Sequence, residues 1–256
     1  MLKISIIGTV YIDLVNGACL SMNRNNRVVC LDKNSDYLKY ILEKKKSPFH
    51  EKSLDKIIKS SFDSKNLNVS FDMEKSISES DVTFIAVGTP SNDNGIDLSQ
   101  INQACNSIAK ALRNKKKFHV IVVKSTVEPS TTEQVVKKTI NKLTQNKNIG
   151  YCMNPEFLRQ GFAVNDFINP DRIIIGCDNE KTKVIMKKIY KNFNSKFFFT
   201  NIINAELSKY TSNIFLANSI SFSNEISNIC ERTKDSDVSV ILETLGYDRR
   251  FSQKIG

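Results

Sequence analysis

Short, almost unbroken apolar runs alternate with longer amphipathic stretches from the start of the chain, and this alternation restricts the fold more than any other feature. A strand that is apolar on both faces must be covered on both, and the intervening helices are the only material available to cover it. The pattern therefore specifies strand–helix–strand crossovers in a parallel sheet. The runs are Lys3 to Gly8, Arg27 to Leu31, Asn68 to Phe71, Val82 to Val87, His119 to Lys124 and Gly150 to Met153, with Arg172 to Gly176 and Lys196 to Thr200 following. The expected fold is α/β, a Rossmann-like doubly wound parallel sheet.

Helix signals fall between the runs. Asp97-Leu98-Ser99-Gln100 and Ser130-Thr131-Thr132-Glu133 each place a capping oxygen three residues ahead of Gln or Glu, so each predicts a helix opening just after a loop. A further helix is expected from about Asn179 to Asn192. From Asn204 to Arg232 there is neither Pro nor Gly, and that stretch reads as one long helix followed by a second short helical segment. Its apolar residues, among them Ile214, Phe215, Ala217, Ile220, Phe222 and Ile226, cover more surface than one small domain can bury, which predicts a homodimer. The chain divides accordingly into a sheet domain over 1–200 and the start of a helical domain over 201–256.

Composition narrows the function classes. No apolar run approaches the roughly 18 residues that a membrane span needs, and Met1 to Ser5 lead into a strand, so a cytoplasmic protein without membrane contact is expected. The six cysteines stand far apart with no CxxC pair or zinc-like cluster, so no metal site is expected and the thiols read as small buried hydrophobes. The net charge is +10, yet the lysines scatter over 44–46, 115–117 and 181–191 without interleaved aromatic residues, and no nucleic-acid partner is expected.

The first strand ends in Gly8-Thr9-Val10-Tyr11-Ile12-Asp13 and runs directly into a helix, the position of a dinucleotide-binding GxGxxG loop, although only the first of the three glycines is present. Asp32 closes the second strand, near the offset at which an acidic side chain accepts from a ribose hydroxyl; an ordinary turn-forming Asp has the same position. Three further segments stand at the carboxyl ends of strands, where an open α/β sheet binds ligands: Gly88-Thr89-Pro90, Lys124-Ser125-Thr126-Val127, and Asn154-Pro155-Glu156-Phe157-Leu158-Arg159-Gln160-Gly161.

In this order, followed by Asn169-Pro170-Asp171-Arg172 and by Glu206-Leu207-Ser208-Lys209-Tyr210 with Asn213, the motifs resemble the UDP-glucose/GDP-mannose dehydrogenase family, and the Glu-Phe-Leu-Arg run resembles its UDP-glucose branch. The resemblance covers Met1 to about Arg250. It implies oxidation of a sugar alcohol, with UDP-glucose as substrate, to a carboxylate in two hydride transfers to NAD. It assigns Gly8, Tyr11, Ile12, Asp32, Thr89 and Thr126 to the cofactor. It makes Lys209 and Asn213 the groups that stabilise a developing oxyanion, and Glu156 with Thr126 the managers of protons and hydrolytic water. Phe157, Leu158, Arg159 and Gln160 would cover the sugar nucleotide, with Arg250 on the substrate side. The long helix would belong to the family's central dimerisation domain.

The same resemblance marks departures. Val10 and Asp13 replace fingerprint glycines, which predicts weak NAD binding, and Gln160 stands where a second Glu is usual. The family's nucleophilic cysteine lies in a glycine-rich loop beyond the Arg250 motif, ahead of a C-terminal UDP-binding domain, and these 256 residues hold neither, so a truncated and impaired chain is expected. The alternatives are a non-catalytic dimerisation or nucleotide-binding remnant, and a dehydrogenase of GDP-mannose or UDP-N-acetylmannosamine.

Overall fold

The computed structural model describes residues 1–8, 11–92 and 95–248. The chain separates into two compact units, Met1–Lys209 and Tyr210–Gly256.

The first unit is built on the strands β1 (Leu2–Ile7), β2 (Asn26–Leu31), β3 (Leu67–Ser70) and β4 (Val82–Ile85), a two-stranded hairpin β5 (Ser91–Asn92) and β6 (Gly95–Ile96), and then β7 (His119–Val123), β8 (Ile149–Met153), β9 (Arg172–Cys177) and β10 (Lys196–Thr200). Apart from the hairpin, they form one eight-stranded sheet in the order β10-β9-β8-β7-β4-β1-β2-β3. The strand order reverses between β1 and β4, which leaves a crevice beyond their carboxyl ends. Helices cover both faces, with α1 (Tyr11–Ser21), α2 (Ser35–Lys44), α3 (Leu54–Asp63), α4 (Met73–Glu79) and α5 (Ser99–Leu112) in the first part of the unit. Alternation of side chains along each strand splits the core in two. Ile4, Ile6, Phe84, Val120 and Val122 pack on one face, while Ile7, Ile85, Ile121, Val123 and Met153 pack on the other.

The sheet is not wholly parallel. β9 pairs antiparallel with β8, Cys152 opposite Cys177 and Met153 opposite Gly176. A parallel return needs a crossover as long as the strand, about 17 Å for five residues, whereas the intervening α6 (Ala163–Ile168) is only about 9 Å long. The chain therefore turns back on itself at the ligand-binding edge, and β10 then pairs parallel with β9.

The two predicted helix starts behave differently. Asp97 accepts the Ser99 N–H at 2.8 Å and opens α5 as expected. Ser130 does not cap with its side chain: it adopts φ +75, and the helix over 132–144 begins with a wide π turn. Its exposed amides are satisfied from afar, because the Glu206 carboxylate accepts the Ser130 N–H at 2.6 Å and the Thr132 N–H at 2.8 Å. A remote carboxylate thus stands in for the local cap, with the helix dipole favouring its charge.

The helix carrying Glu206, α8 (Ile202–Cys230), follows α7 (Glu180–Ile189), whose Asn179 cap accepts the Thr182 N–H at 2.9 Å. α8 starts against β9 at Gly176, where an added Cβ would lie 2.5 Å from the Asn201 carbonyl oxygen and 2.8 Å from Ala205 Cβ. The boundary between the two units falls inside α8.

In the second unit the rest of α8 presents Ile214, Phe215, Leu216, Ile220 and Phe222 about half exposed or more. α9 (Val238–Gly246) follows, capped by Asp237 through the Ser239 N–H at 2.8 Å. No helix among the described residues is long and apolar enough to cross a membrane.

Candidate active site

The strand interiors are mostly apolar, Ser5, Thr83 and His119 being buried polar exceptions that hydrogen-bond in a row, so most other polar side chains collect where the strands end. Gly8 follows β1 with φ +120, a conformation that favours glycine, and a Cβ there would meet the Ala86 carbonyl oxygen at 2.4 Å. The loops after β4 and β7 are stitched to each other: the Thr89 hydroxyl donates to the Thr126 carbonyl oxygen at 2.7 Å and the Ser125 hydroxyl to the Val87 carbonyl oxygen at 2.7 Å. These bonds fix three cavities along the sheet edge.

The first, about 340 Å³, is lined by Gly8, Asp32, Gly88 and Gln100. Asp32 also accepts the Asn34 N–H at 2.7 Å, so it is both a turn former and a cavity residue. The second, about 390 Å³, is lined by Tyr11, Ile12, Asp13, Thr89, Thr126, Leu158 and Gln160. The third, about 520 Å³, is lined by Phe157, Leu158, Arg159, Asn165, Asp171, Arg172 and Tyr190. Lys124 and Glu156 line both the second and the third, which makes them the junction.

Glu156 lies in the irregular segment after β8 and is not the opening carboxylate of a helix, since the next helix begins at Ala163. One of its oxygens accepts the Leu158 N–H at 2.6 Å and the other receives Lys209 Nζ at 3.0 Å. Both side chains of that pair are only 10% exposed. Phe157 carries Arg172 over its ring at 4.1 Å and Lys209 at 5.3 Å, so two cations flank one aromatic plate beside the third cavity. Arg159, expected to help cover the sugar nucleotide, is held on the surface by a two-pronged pair with Asp166, at 2.7 and 2.9 Å, which occupies its guanidinium fork. Gln160 faces the second cavity and is not among the residues of the third. Asn213 belongs to the second unit and Arg250 lies outside the described residues, as does Val10.

Three further residues complete the site: Lys124, quoted from the sequence only as part of a strand-end motif, Asp13, read there as a replaced fingerprint glycine, and Glu51, not singled out from the sequence. Lys124 is 5% exposed, and among the described residues its ammonium donates to the neutral oxygens of Asn154, at 3.2 and 3.4 Å. Burial, partly offset by Glu156, brings its pKa down to about 8. Its one sequence signal is a lysine that follows the apolar run Val120 to Val123. Asp13 is also buried, and burial with the nearby Asp32 and Glu156 pushes its carboxyl well above the usual range. Glu51, buried in a loop between helices, accepts the Tyr11 hydroxyl and the Gly161 N–H, the latter at 3.0 Å, and thereby ties the start of α1 to the loop after β8. Nothing local marks Glu51, because both partners are remote in sequence.

No cysteine lines these cavities, and no group of three or more His, Cys, Asp or Glu that could hold a metal ion occurs among the described residues.

Residues 2–194 match the model of the UDP-glucose/GDP-mannose dehydrogenase family, NAD-binding domain, and residues 203–255 match the model of its central domain. The chain is 36% identical over 254 residues to a UDP-glucose 6-dehydrogenase of Bacillus subtilis, covering 99% of this chain and 56% of the relative. It is 37% identical to one of Rhizobium meliloti, covering 58% of it. The chain thus spans a little over half the length of these curated relatives. Among solved structures, a UDP-glucose dehydrogenase of Pyrobaculum islandicum superposes with a TM-score of 0.93 at 33% identity, over 98% of this chain and 57% of that one. A GDP-mannose dehydrogenase of Pseudomonas aeruginosa, solved as a ternary complex, superposes with a TM-score of 0.92 at 33% identity, over 96% and 57%.

The buried ammonium makes a measurable demand on stability. Lys124 has a folded-state pKa below its unfolded value, so the folded chain binds fewer protons between about pH 8 and 10.5 and stability rises with pH across that window. Below it the full penalty is present, on the order of 3 kcal/mol before the lost Asn154 contacts are counted. Lys124→Met is therefore expected to raise the urea midpoint at pH 7, with the gain shrinking towards pH 10.5. A midpoint equal to or below that of the parent chain at pH 7 would contradict this account.

Proposed function

Because the chain belongs to the UDP-glucose/GDP-mannose dehydrogenase family, we propose that it is the NAD-binding and sugar-handling part of an oxidoreductase acting on UDP-glucose. The observation that carries this reading is the Glu156–Lys209 pair at 3.0 Å, closed over 53 residues of sequence, with Glu156 at the junction of two cavities. The curated relatives named as UDP-glucose 6-dehydrogenases support UDP-glucose over GDP-mannose.

The residues of the first cavity fit the adenosine end of NAD, with Asp32 placed to accept from ribose hydroxyls and Gly8 leaving the room that a Cβ would fill. Once bound, NAD supplies a hydride acceptor for the sugar alcohol carbon. The chain's own work is electrostatic. Lys209 offers an ammonium to the oxygen that gains negative charge, and Glu156 holds that ammonium in place through one oxygen. Thr126, half-buried beside Glu156 in the second cavity, orients a water or hydroxyl there. Phe157, stiffened by its two cations, forms one wall against the sugar. The sheet domain over 1–200 carries Thr126, Glu156 and Phe157, and the helical domain over 201–256 brings Lys209 on its first turns and supplies the face for a homodimer.

Oxidation beyond the aldehyde needs a covalent bond from a positioned thiolate, and Cys19, Cys30, Cys105 and Cys152 are buried in the core, away from the cavities. These 256 residues by themselves are therefore expected to form no UDP-glucuronate from UDP-glucose and excess NAD. Mass spectrometry after long incubation checks this, and product in stoichiometric amount would refute it.

The seat for the pyrophosphate is compromised by Asp13, which begins α1 and sits with an oxygen 2.7 Å from where a Gly8 Cβ would be. Burial favours its protonated form, so repulsion grows as pH rises through its elevated pKa. NAD affinity is expected to fall with rising pH, and Asp13→Asn should remove the trend and tighten binding by on the order of tenfold, about 1.4 kcal/mol. Calorimetry across pH decides; a pH-independent parent affinity contradicts it. For assembly, the exposed face of α8 predicts a dimer by light scattering at tens of micromolar, roughly the range of moderate association. A clean monomer there would count against it.

A further inference from the structure

Away from the cavities, two thiols face each other. Cys152 on β8 and Cys177 on β9 are directly opposed in the antiparallel register, and their sulfurs lie 3.7 Å apart. The ladder continues beside them, with the Asp178 N–H donating to the Tyr151 carbonyl oxygen at 3.1 Å. Opposed residues of an antiparallel pair have Cα atoms about 4.5–5.5 Å apart, inside the span of about 4.4–6.8 Å that a disulfide accepts. Closing the sulfurs to a bond of about 2.05 Å needs rotation of two short side chains and a small approach of the strands, not refolding.

Exposure divides the pair. Cys177 is partly exposed, whereas Cys152 is wholly buried. Cys152 immediately precedes Met153 and Asn154, and Asn154 accepts the Tyr190 hydroxyl at 2.6 Å, with both Asn154 and Tyr190 lining the third cavity. Cys152 therefore lies on the strand that leads into the cavity wall at Asn154 and, two residues further, to Glu156, while Cys177 holds the neighbouring strand.

The geometry points to Cys152 and Cys177 as a dithiol modification site that a small-molecule disulfide, such as glutathione disulfide, converts to an intrachain disulfide. The Cys177 thiolate attacks one sulfur of the oxidant, forming a mixed disulfide and releasing one thiol after protonation. The Cys152 thiol then loses its proton to solvent and its sulfur attacks Cys177 Sγ, expelling the second thiol. In sum, two protein thiols and one oxidant disulfide become one protein disulfide and two small thiols. The two electrons and two protons of the protein thiols leave with the reduced oxidant. Burial holds the Cys152 thiol well above its usual range, while the charge on Lys124 opposes that shift, so the second step is the slower one. The site does not depend on the nucleotide-sugar reading.

The test is non-reducing peptide mapping of the natively folded chain after exposure to glutathione disulfide. A Cys152–Cys177 crosslink in the majority of the chain, reversed by dithiothreitol, is the expected result. Cys152→Ser should trap the mixed disulfide on Cys177, and Cys177→Ser should leave Cys152 reduced. As a measurement free of substitutions, phenylarsine oxide should bind one to one through both sulfurs, releasing one water. A crosslink that forms only in urea, a mixed disulfide on Cys177 of the parent chain that never closes, or an arsenical held elsewhere would each overturn the assignment.

Discussion

Coverage of the sheet on both faces governs everything else in this molecule. With α1 and α3 on one side and α5 on the other, the central strands are enclosed in two apolar cores, and charge collects at the strand ends. Polar function is thereby confined to one edge. Gly8, Asp32, Thr89, Lys124, Thr126 and Glu156 gather there because each follows a strand, and the reversal of strand order at β1 and β4 opens the space between them.

That confinement has energetic consequences. Lys124 and Asp13 sit just inside the dry region, and burial pushes each towards its neutral form. Glu156 and Lys209, at the same edge, form a direct ion pair at 3.0 Å, whereas Lys124 and Asp13 influence each other without a hydrogen bond between them. Groups held away from their solution protonation states at a cavity junction are a usual sign of a working site, where fold stability is given up for chemistry.

Long-range carboxylates do much of the construction. Glu206 caps the helix over 132–144 from α8, and Glu51 joins the start of α1 to the loop after β8. Each satisfies backbone amides that would otherwise be stranded, and each locks a ligand-side loop to a distant element. The loops around the cavities are therefore set by the tertiary fold and have little freedom of their own.

The sequence alone determined the strands, their crossover helices and the edge at which ligands collect, because apolar periodicity is a local property that one stretch of chain expresses by itself. It also made the family legible, through short motifs such as Asn154 to Gly161 and Glu206 to Tyr210. What it did not determine were choices of partner. The reversal of β9 depended on how little helix fits between Met153 and Arg172, and the cap on Thr132 came from Glu206 where Ser130 had been expected. Arg159 was taken by Asp166, and Lys124 acquired its character from being enclosed. Each of these depends on which distant group arrives within about 3 Å, and periodicity carries no record of that distance; only the packed tertiary structure sets it.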